Sequence, residues 1–319
     1  MSTYKHLDYE QRCHIYQLKK IGWLQKDIAQ EIGVHKSTIS RELSLRTGSR
    51  GYRPNQAQAM ANECREQAAK ASKMTPVMIE LIEKKLREQW SPEQISGWLL
   101  EERDELLSHE CIYQHVWGDK ASGGDLYTHL RRRGKKYQWR GSDGKTSRGK
   151  IKNQVSIDER PVIVEEKGRF GDWEIDTMIG KHHQGALVTI VERTTLYTVI
   201  ARIMNKTAEY TTQVTTALLK PFKAHLQSIT ADNGKEFAMH EVISQKLGID
   251  FYFAHPYCSW ERGLNENTNG LIRQYFPKDT DFKKITDKEV LQVMDRLNNR
   301  PRKILGYKTP KEMFFGCLG

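Results

Sequence analysis

Three acidic residues far apart in the chain, Asp176, Asp232 and Glu266, fall on elements that can meet, and this convergence constrains the fold more than any other feature. In GDWEIDTMIG, residues 171–180, Trp173, Ile175 and Thr177 alternate with Asp172, Glu174 and Asp176, the period of a strand with one acidic face. Residues 228–231, SITA, form a short β-prone run; Asp232 follows directly, and Asn233-Gly234 then supplies a turn. Glu266 sits in ERGLNENTNGLIRQYF, where Leu264, Leu271, Ile272 and Tyr275 recur at helical spacing. A strand, a strand end and a helix therefore each present one carboxylate. Carboxylates gathered in one place repel one another, and hard divalent cations between them relieve that repulsion. Two Mg²⁺ ions about 3.5–4 Å apart, with Mn²⁺ as a substitute, would activate an attacking oxygen and stabilise the leaving oxygen of a phosphodiester. Taken singly, each acid reads as a solvated surface residue; spacing and context argue for a site. Asp172 and Glu174 share the face of Asp176 and are rival ligands.

The segments 173–177 (WEIDT), 230–234 (TADNG) and 263–269 (GLNENTN) resemble the three catalytic motifs of the DDE transposases and retroviral-type integrases. Between Asp232 and Glu266 lie 33 residues, close to the interval that many bacterial insertion-sequence transposases keep. The longer string 260–277, WERGLNENTNGLIRQYFP, is similar to the IS30 family in particular, and with the N-terminal modules the resemblance spans nearly the whole chain. It implies a ribonuclease-H-like core. It also implies Asp176, Asp232 and Glu266 as catalytic, metal-binding triad, with Asp176 chosen over its rivals because the family motif places its acid after Trp-x-Ile. Arg273 lies seven residues past Glu266 on the same helix face, where the family often places a basic DNA contact. Such enzymes generally act as multimers, so a homo-oligomer, a dimer on DNA, is expected.

Composition agrees with a polyanionic partner. The 319 residues suggest two or three domains, and the formal charge is +11. No apolar run approaches the ~20 residues of a membrane span, and the first residues lead into no signal-type apolar region. The expectation is a soluble cytoplasmic protein associated with the bacterial nucleoid, with no membrane and no small-molecule substrate. Cys13, Cys64, Cys111, Cys258 and Cys317 are odd in number and scattered, which supports neither a disulfide framework nor a zinc knuckle.

In the N-terminal part, Asp8 caps a helix over 9–21. Residues 24–43, LQKDIAQEIGVHKSTISREL, resemble a helix-turn-helix. Ala29 is small where two helices cross, Gly33 supplies the turn, and Ile28, Ile32, Val34, Ile39 and Leu43 form the apolar seam. Lys36, Ser37, Thr38, Ser40 and Arg41 then project outward as a DNA-reading face; the bland alternative is a helical hairpin with a polar surface. His35 stands at the N-cap, where Ser or Thr is commoner. Residues 49–75 read as a connector with one polar helix.

Ser91, Pro92 and Gln94 start another helix, with Ile95, Trp98 and Leu99 as its stripe. Ser108 caps a further one over 109–117, with Ile112, Val116 and Trp117 inward. The pair reads as a second helix-turn-helix or as a structural three-helix bundle. From 131 to 152 basic residues crowd together, among them Arg131, Arg132, Arg133, Lys135 and Lys136, with Tyr137 and Trp139 between them. Phosphate tracking is the favoured reading over a merely solvated linker, each phosphate adding about 0.9 to the salt slope.

Strands over 173–179, 186–193 and 196–204 begin an antiparallel arrangement, followed by a helix over 207–219, the Asp232 strand, a helix over 240–246, a strand over 250–253 and the Glu266 helix. An amphipathic helix over 286–299, capped by Thr286, is expected to bury Val290, Leu291, Met294 and Leu297, and residues 308–312 start a short last helix. His182 and His183 fall in an exposed loop, and His255 is read as a structural histidine in preference to a phosphate contact. The fold class is thus multidomain: all-α helix-turn-helix modules, then an α/β ribonuclease-H-like domain with a mixed five-stranded sheet flanked by helices. The expected domains are 1–48 (helix-turn-helix), 49–75 (connector), 76–128 (second helix-turn-helix-like), 129–156 (basic linker) and 157–319 (catalytic). Together these features point to a transposase that binds the terminal inverted repeats of an insertion sequence and cleaves and joins DNA strands with metal. A nuclease of the same fold without strand transfer, and a DNA-binding repressor with an inactive core, stay open.

Overall fold

A reciprocal cap starts the first helix: Asp8 accepts from the Gln11 amide at 2.8 Å, and the Gln11 side chain accepts the Asp8 amide at 3.1 Å. The computed structural model describes residues 6–67, 73–131, 151–256 and 258–318. Its chain divides into two compact units, 1–73 and 74–319.

The first unit contains α1 (Tyr9–Lys20), α2 (Gln25–Ile32), α3 (Lys36–Leu45), the short strands β1 (Thr47–Gly48) and β2 (Gly51–Tyr52), and α4 (Pro54–Gln67). Gly33 ends α2 at φ 73°, a left-handed turn that a side chain would strain. His35 does serve as the cap of α3, its Nδ1 accepting the Ser37 amide at 3.3 Å. Ile15, Leu18, Ile28, Ala29, Ile39 and Leu43 close one core. Beneath it lies an ion pair that local patterns do not announce: Arg12 and Glu42 meet at 2.8 Å, with the Tyr52 hydroxyl donating to the same carboxylate at 3.2 Å. The stretch read as a connector does more than connect. Ala57 and Ala61 are fully buried, and their small side chains let α4 lie close against α1.

The second unit opens with α5 (Pro76–Arg87), α6 (Pro92–Arg103) and α7 (His109–Ala121), each begun by a hydroxyl cap from Thr75, Ser91 or Ser108. Ile82, Leu86, Trp90, Ile95, Leu99, Ile112 and Val116 form their core. Trp117 was expected inside but is 41 % exposed, because it lies about 100° round the helix from Val116. Gly97 on α6 faces the ring of Tyr307, so closely that a Cβ at 97 would stand 2.3 Å from it, and Lys303 pairs with Glu93 at 2.6 Å beside this contact.

After the short α8 (Val162–Glu165) come β3 (Asp172–Ile179), β4 (Ala186–Glu192) and β5 (Thr198–Ile203), then α9 (Ala208–Leu219), β6 (Ser228–Ala231), α10 (His240–Leu247) and β7 (Asp250–Phe253). The sheet order is β5-β4-β3-β6-β7. The first three strands, joined by short turns, are antiparallel; β6 and β7, reached through α9 and α10, add on in parallel. This is the mixed five-stranded arrangement of a ribonuclease-H-like domain. Trp173, Ile175, Val188, Ile190, Ile229 and Phe251 pack on one face, with Ile243 and Leu247 of α10. Met178, Leu187 and Ile200 pack on the other, under α11 (Gly263–Tyr275) and α12 (Asp287–Asn298), before α13 (Pro310–Cys317). On α12, Val290, Val293 and Leu297 turn inward at helical spacing, whereas Leu291, expected there, is 54 % exposed. No helix among the described residues is long and apolar enough to cross a membrane.

Candidate active site

Strands β3 and β6 run parallel with Asp172 beside Ser228 and Glu174 beside Thr230. The ladder stops there and β6 ends at Ala231, so Asp176 and Asp232 lie just beyond its paired residues, two further along each segment. Each carboxylate is oriented by the backbone next to it: Asp176 Oδ1 accepts the Thr177 amide at 2.8 Å, and Asp232 Oδ1 accepts the Gly234 amide at 2.9 Å. Arg262, just before α11, lies between the two, its Nη1 3.7 Å from Asp176 and its Nη2 3.7 Å from Asp232. Burial pushes the Asp176 carboxyl up; Arg262 opposes that rise, and the neighbouring Asp232 charge adds to it.

Helix α11 runs along β3 in near step with it. Four residues of helix advance about 6 Å and two of strand about 6.7 Å, so contacts can recur. The Asn265 amide donates to Glu174 at 3.1 Å, Asn269 Nδ2 to Asp176 Oδ2 at 2.7 Å, and Arg273 Nη2 to the Ile179 carbonyl at 2.9 Å. Asn269 also accepts from the Thr189 hydroxyl at 3.0 Å. Glu266 is exposed in the first turn, and being three residues before Asn269 it shares that helix face.

The rival acids are spent on the fold. Asp172 accepts from Arg169 at 2.8 Å and from the Ser228 hydroxyl at 2.5 Å, while Glu174 pairs with buried Arg193 and takes the Asn265 amide; each acid is only 1 % exposed. Arg273 donates to the Pro277 and Ile179 carbonyls and lies over the Phe282 ring, closing the end of α11. His255 is held by Glu261 at 2.8 Å and Asp158 at 2.9 Å; these two carboxylates raise its pKa. On α3, Lys36, Ser40 and Arg41 are exposed, and Ser37 and Thr38 half-buried. Arg131 is exposed and donates to Asn267 at 3.4 Å. Arg132, Arg133, Lys135 and Lys136 lie outside the described residues.

Sequence reasoning passed over Arg262 and Asn269, although they flank Glu266 at four residues before and three after, the spacing of one helix face. It also passed over Lys206, which pairs with Glu236 at 2.7 Å and whose charge opposes the rise that burial imposes on Asp176. Among the described residues no three His, Cys, Asp or Glu side chains gather into a ready-made metal cage. The Asp176–Asp232 pair still fits a hard cation. Its donors are carboxylate oxygens of the kind Mg²⁺ prefers, and a guanidinium already stands as positive charge between them.

A helix-turn-helix domain family matches residues 3–44. The chain is 48 % identical over 312 residues to the transposase for insertion sequence element IS4351 of Bacteroides fragilis, covering 97 % of this chain and 95 % of that one. It is 36 % identical over 302 residues to the transposase InsI for IS30A of Escherichia coli K12, covering 90 % and 77 %. Against the transposase for IS1086 of Cupriavidus metallidurans it is 34 % identical over 332 residues, covering 99 % and 96 %. The solved catalytic core of BIV integrase covers 46 % of this chain and 95 % of its own at 19 % identity and a TM-score of 0.38, a likeness that adds nothing to the topology described above. Transposase relatives over nearly the whole chain, with the helix-turn-helix match ahead of a mixed five-stranded sheet, mark a DNA polynucleotidyl transferase. The chain belongs to the IS30 family of transposases.

Because Glu174 neutralises buried Arg193 and anchors α11, Glu174→Gln should lower the unfolding free energy by about 3–5 kcal/mol. Urea denaturation of the full chain measures it; a midpoint equal to wild type's would show that the pair does not tie α11 to the sheet.

Proposed function

We propose that Asp176, Asp232 and Glu266 form the catalytic triad that hydrolyses a strand at the ends of an insertion sequence, freeing a 3′-hydroxyl, and then directs that hydroxyl onto a phosphodiester of target DNA. The observation that supports this most is the Asp176–Asp232 pair, just past the end of the β3–β6 ladder and bridged by one cationic side chain. The three carboxylates would hold two divalent ions, Mg²⁺ with Mn²⁺ as a substitute, whose chemistry is to activate the entering oxygen and stabilise the leaving one. The chain's own groups prepare the site. Asn269 and the Thr177 amide grip opposite oxygens of Asp176, so its carboxylate plane is set in advance, and the Gly234 amide does the same for Asp232. Arg262 balances the two charges in the metal-free protein. Arg273 serves by closing α11 behind Glu266.

In this reading the α3 face, Lys36, Ser37, Thr38, Ser40 and Arg41, reads the terminal inverted repeats in the major groove. Arg131 and the run Arg132, Arg133, Lys135 and Lys136 follow phosphates. The setting is the nucleoid of a bacterial cytoplasm. Two element ends must reach one target, which favours a homo-oligomer, a two-fold dimer on DNA. A nuclease without strand transfer is the second reading, and labelled oligonucleotides with a pre-cut 3′-hydroxyl end separate the two.

Asp176→Asn, Asp232→Asn and Glu266→Gln should each abolish end cleavage in Mg²⁺ while leaving repeat binding nearly intact. Wild-type cleavage by any one of them removes that residue from the triad. Arg41→Ala should cost about 1–3 kcal/mol on the cognate repeat and little on unrelated DNA; equal weakening on both would make Arg41 a phosphate contact. Light scattering with excess single-end duplex should find two chains bridging two duplexes. A fully transfer-active complex of one chain per duplex would sink the dimer.

A further inference from the structure

Among the described residues four arginines are buried, and three obey the rule that a buried cation meets a carboxylate. Arg12 pairs with Glu42, Arg160 with Glu165 and Arg193 with Glu174. Arg300, at 2 % exposure, is the exception. It donates to the Gln274 side chain at 3.0 Å and to the Tyr275 hydroxyl at 2.7 Å, both uncharged acceptors, and its Nε has no partner.

More positive charge crowds in where a counter-charge would be expected. Arg302 donates to the Leu297 carbonyl at 3.0 Å, and its Nε is likewise buried and unpaired. Burial and the neighbouring Arg300 push its pKa down to about 9. Arg296 and Arg300 both lie about a ring's reach from Tyr275, at 6.0 and 5.9 Å from the centroid. Arg131 rests on α11 so closely that a Cβ on Gly270 would come within 2.8 Å of its Nη2. Among the described residues none of these four arginines has a carboxylate within ion-pair reach. Arg131 and Arg296 are exposed, with Arg300 and Arg302 beneath them.

We infer that Arg131, Arg296, Arg300 and Arg302 form a phosphate site for the backbone of the DNA strand, on the flank of the helix that carries Glu266. The inference rests on the transposase reading for the identity of the polyanion. Two exposed guanidinium groups make the contacts, and beneath them buried Arg300 and half-buried Arg302 raise the positive potential at a cost in stability that an arriving anion recovers. The site starts one turn beyond Glu266, at Gly270, and ends at Tyr275, roughly 6–13 Å along α11. The phosphates it meets are therefore those of nucleotides close to the reacting bond.

The test uses the full chain and the double variant Arg131→Gln/Arg296→Gln, whose side chains are exposed. Fluorescence anisotropy across a salt series is recorded on a terminal-repeat duplex and on an unrelated duplex of equal length. Two lost phosphate contacts should flatten the slope of log K against log[salt] by about 1.8 on both DNAs. An unchanged slope on both overturns the site, and a change confined to the repeat overturns the phosphate assignment. Loss of self-association without DNA, with the slope intact, would assign the cluster to an acidic segment of a second copy instead. Should the double variant fail to fold, ethylation interference on the wild type decides: interference at phosphates within a few nucleotides of the cut supports the site, and its absence there overturns it. A flattened slope in a protein whose wild type cleaves no DNA would overturn the transposition reading and leave the phosphate site standing.

Discussion

Two negative charges brought together just past the end of a parallel ladder set the terms for the rest of the catalytic unit. At 4 Å such a pair repels by about 4 kcal/mol at an effective dielectric of 20, and Asp176 and Asp232 both stand within 3.7 Å of the one Arg262 guanidinium, just past the end of the β3–β6 ladder. The surroundings answer that repulsion with donors. Amides of Thr177 and Gly234 hold one oxygen each, Asn269 holds a second oxygen of Asp176, and Arg262 spans both residues. Since two of those groups come from α11 or the turn before it, the helix bearing Glu266 docks where the charge is. Asn265, Asn269 and Arg273, one turn apart on that helix, then tie it along β3 from Glu174 to Ile179.

Features with a local physical cause were legible in the sequence. Asp8, Ser91, Ser108 and Thr286 cap helices at the positions their patterns suggested, because a cap is a bond between residues three apart. The strand alternation at 172–176 gave the right period but not the right environment. Period two reports which residues share a face, and it is silent on whether water or a helix covers that face, so Asp172 and Glu174 looked like ligands when they are buried ties. Trp117 and Leu291 failed for a related reason: at the margin of an apolar stripe one residue is about 100° of rotation, and only the neighbour's position decides which side is inside.

Long-range pairings were not legible at all. Arg12 and Glu42 lie 30 residues apart and Arg193 and Glu174 lie 19 apart, and no sequence period links them. Arg300 and Arg302 read as the ordinary basic end of a helix, since what distinguishes them is that no carboxylate among the described residues comes within ion-pair reach in space. Arg262 and Asn269 were within reach, because they stand at helical spacing from Glu266, but neither carries the charge sign for which an acidic site is searched.

The seating of Gly97 against Tyr307 has a bearing on how such chains diversify. A bundle taken from another protein would need a residue without a side chain at 97 to accept that ring, and an acid at 93 to meet Lys303. The α5–α7 bundle and the C-terminal segment are therefore matched to one another, even though the sheet lies between them in the chain. Recombination that exchanges the N-terminal helices and crosses near residue 73 leaves both halves of every such match in the same parent.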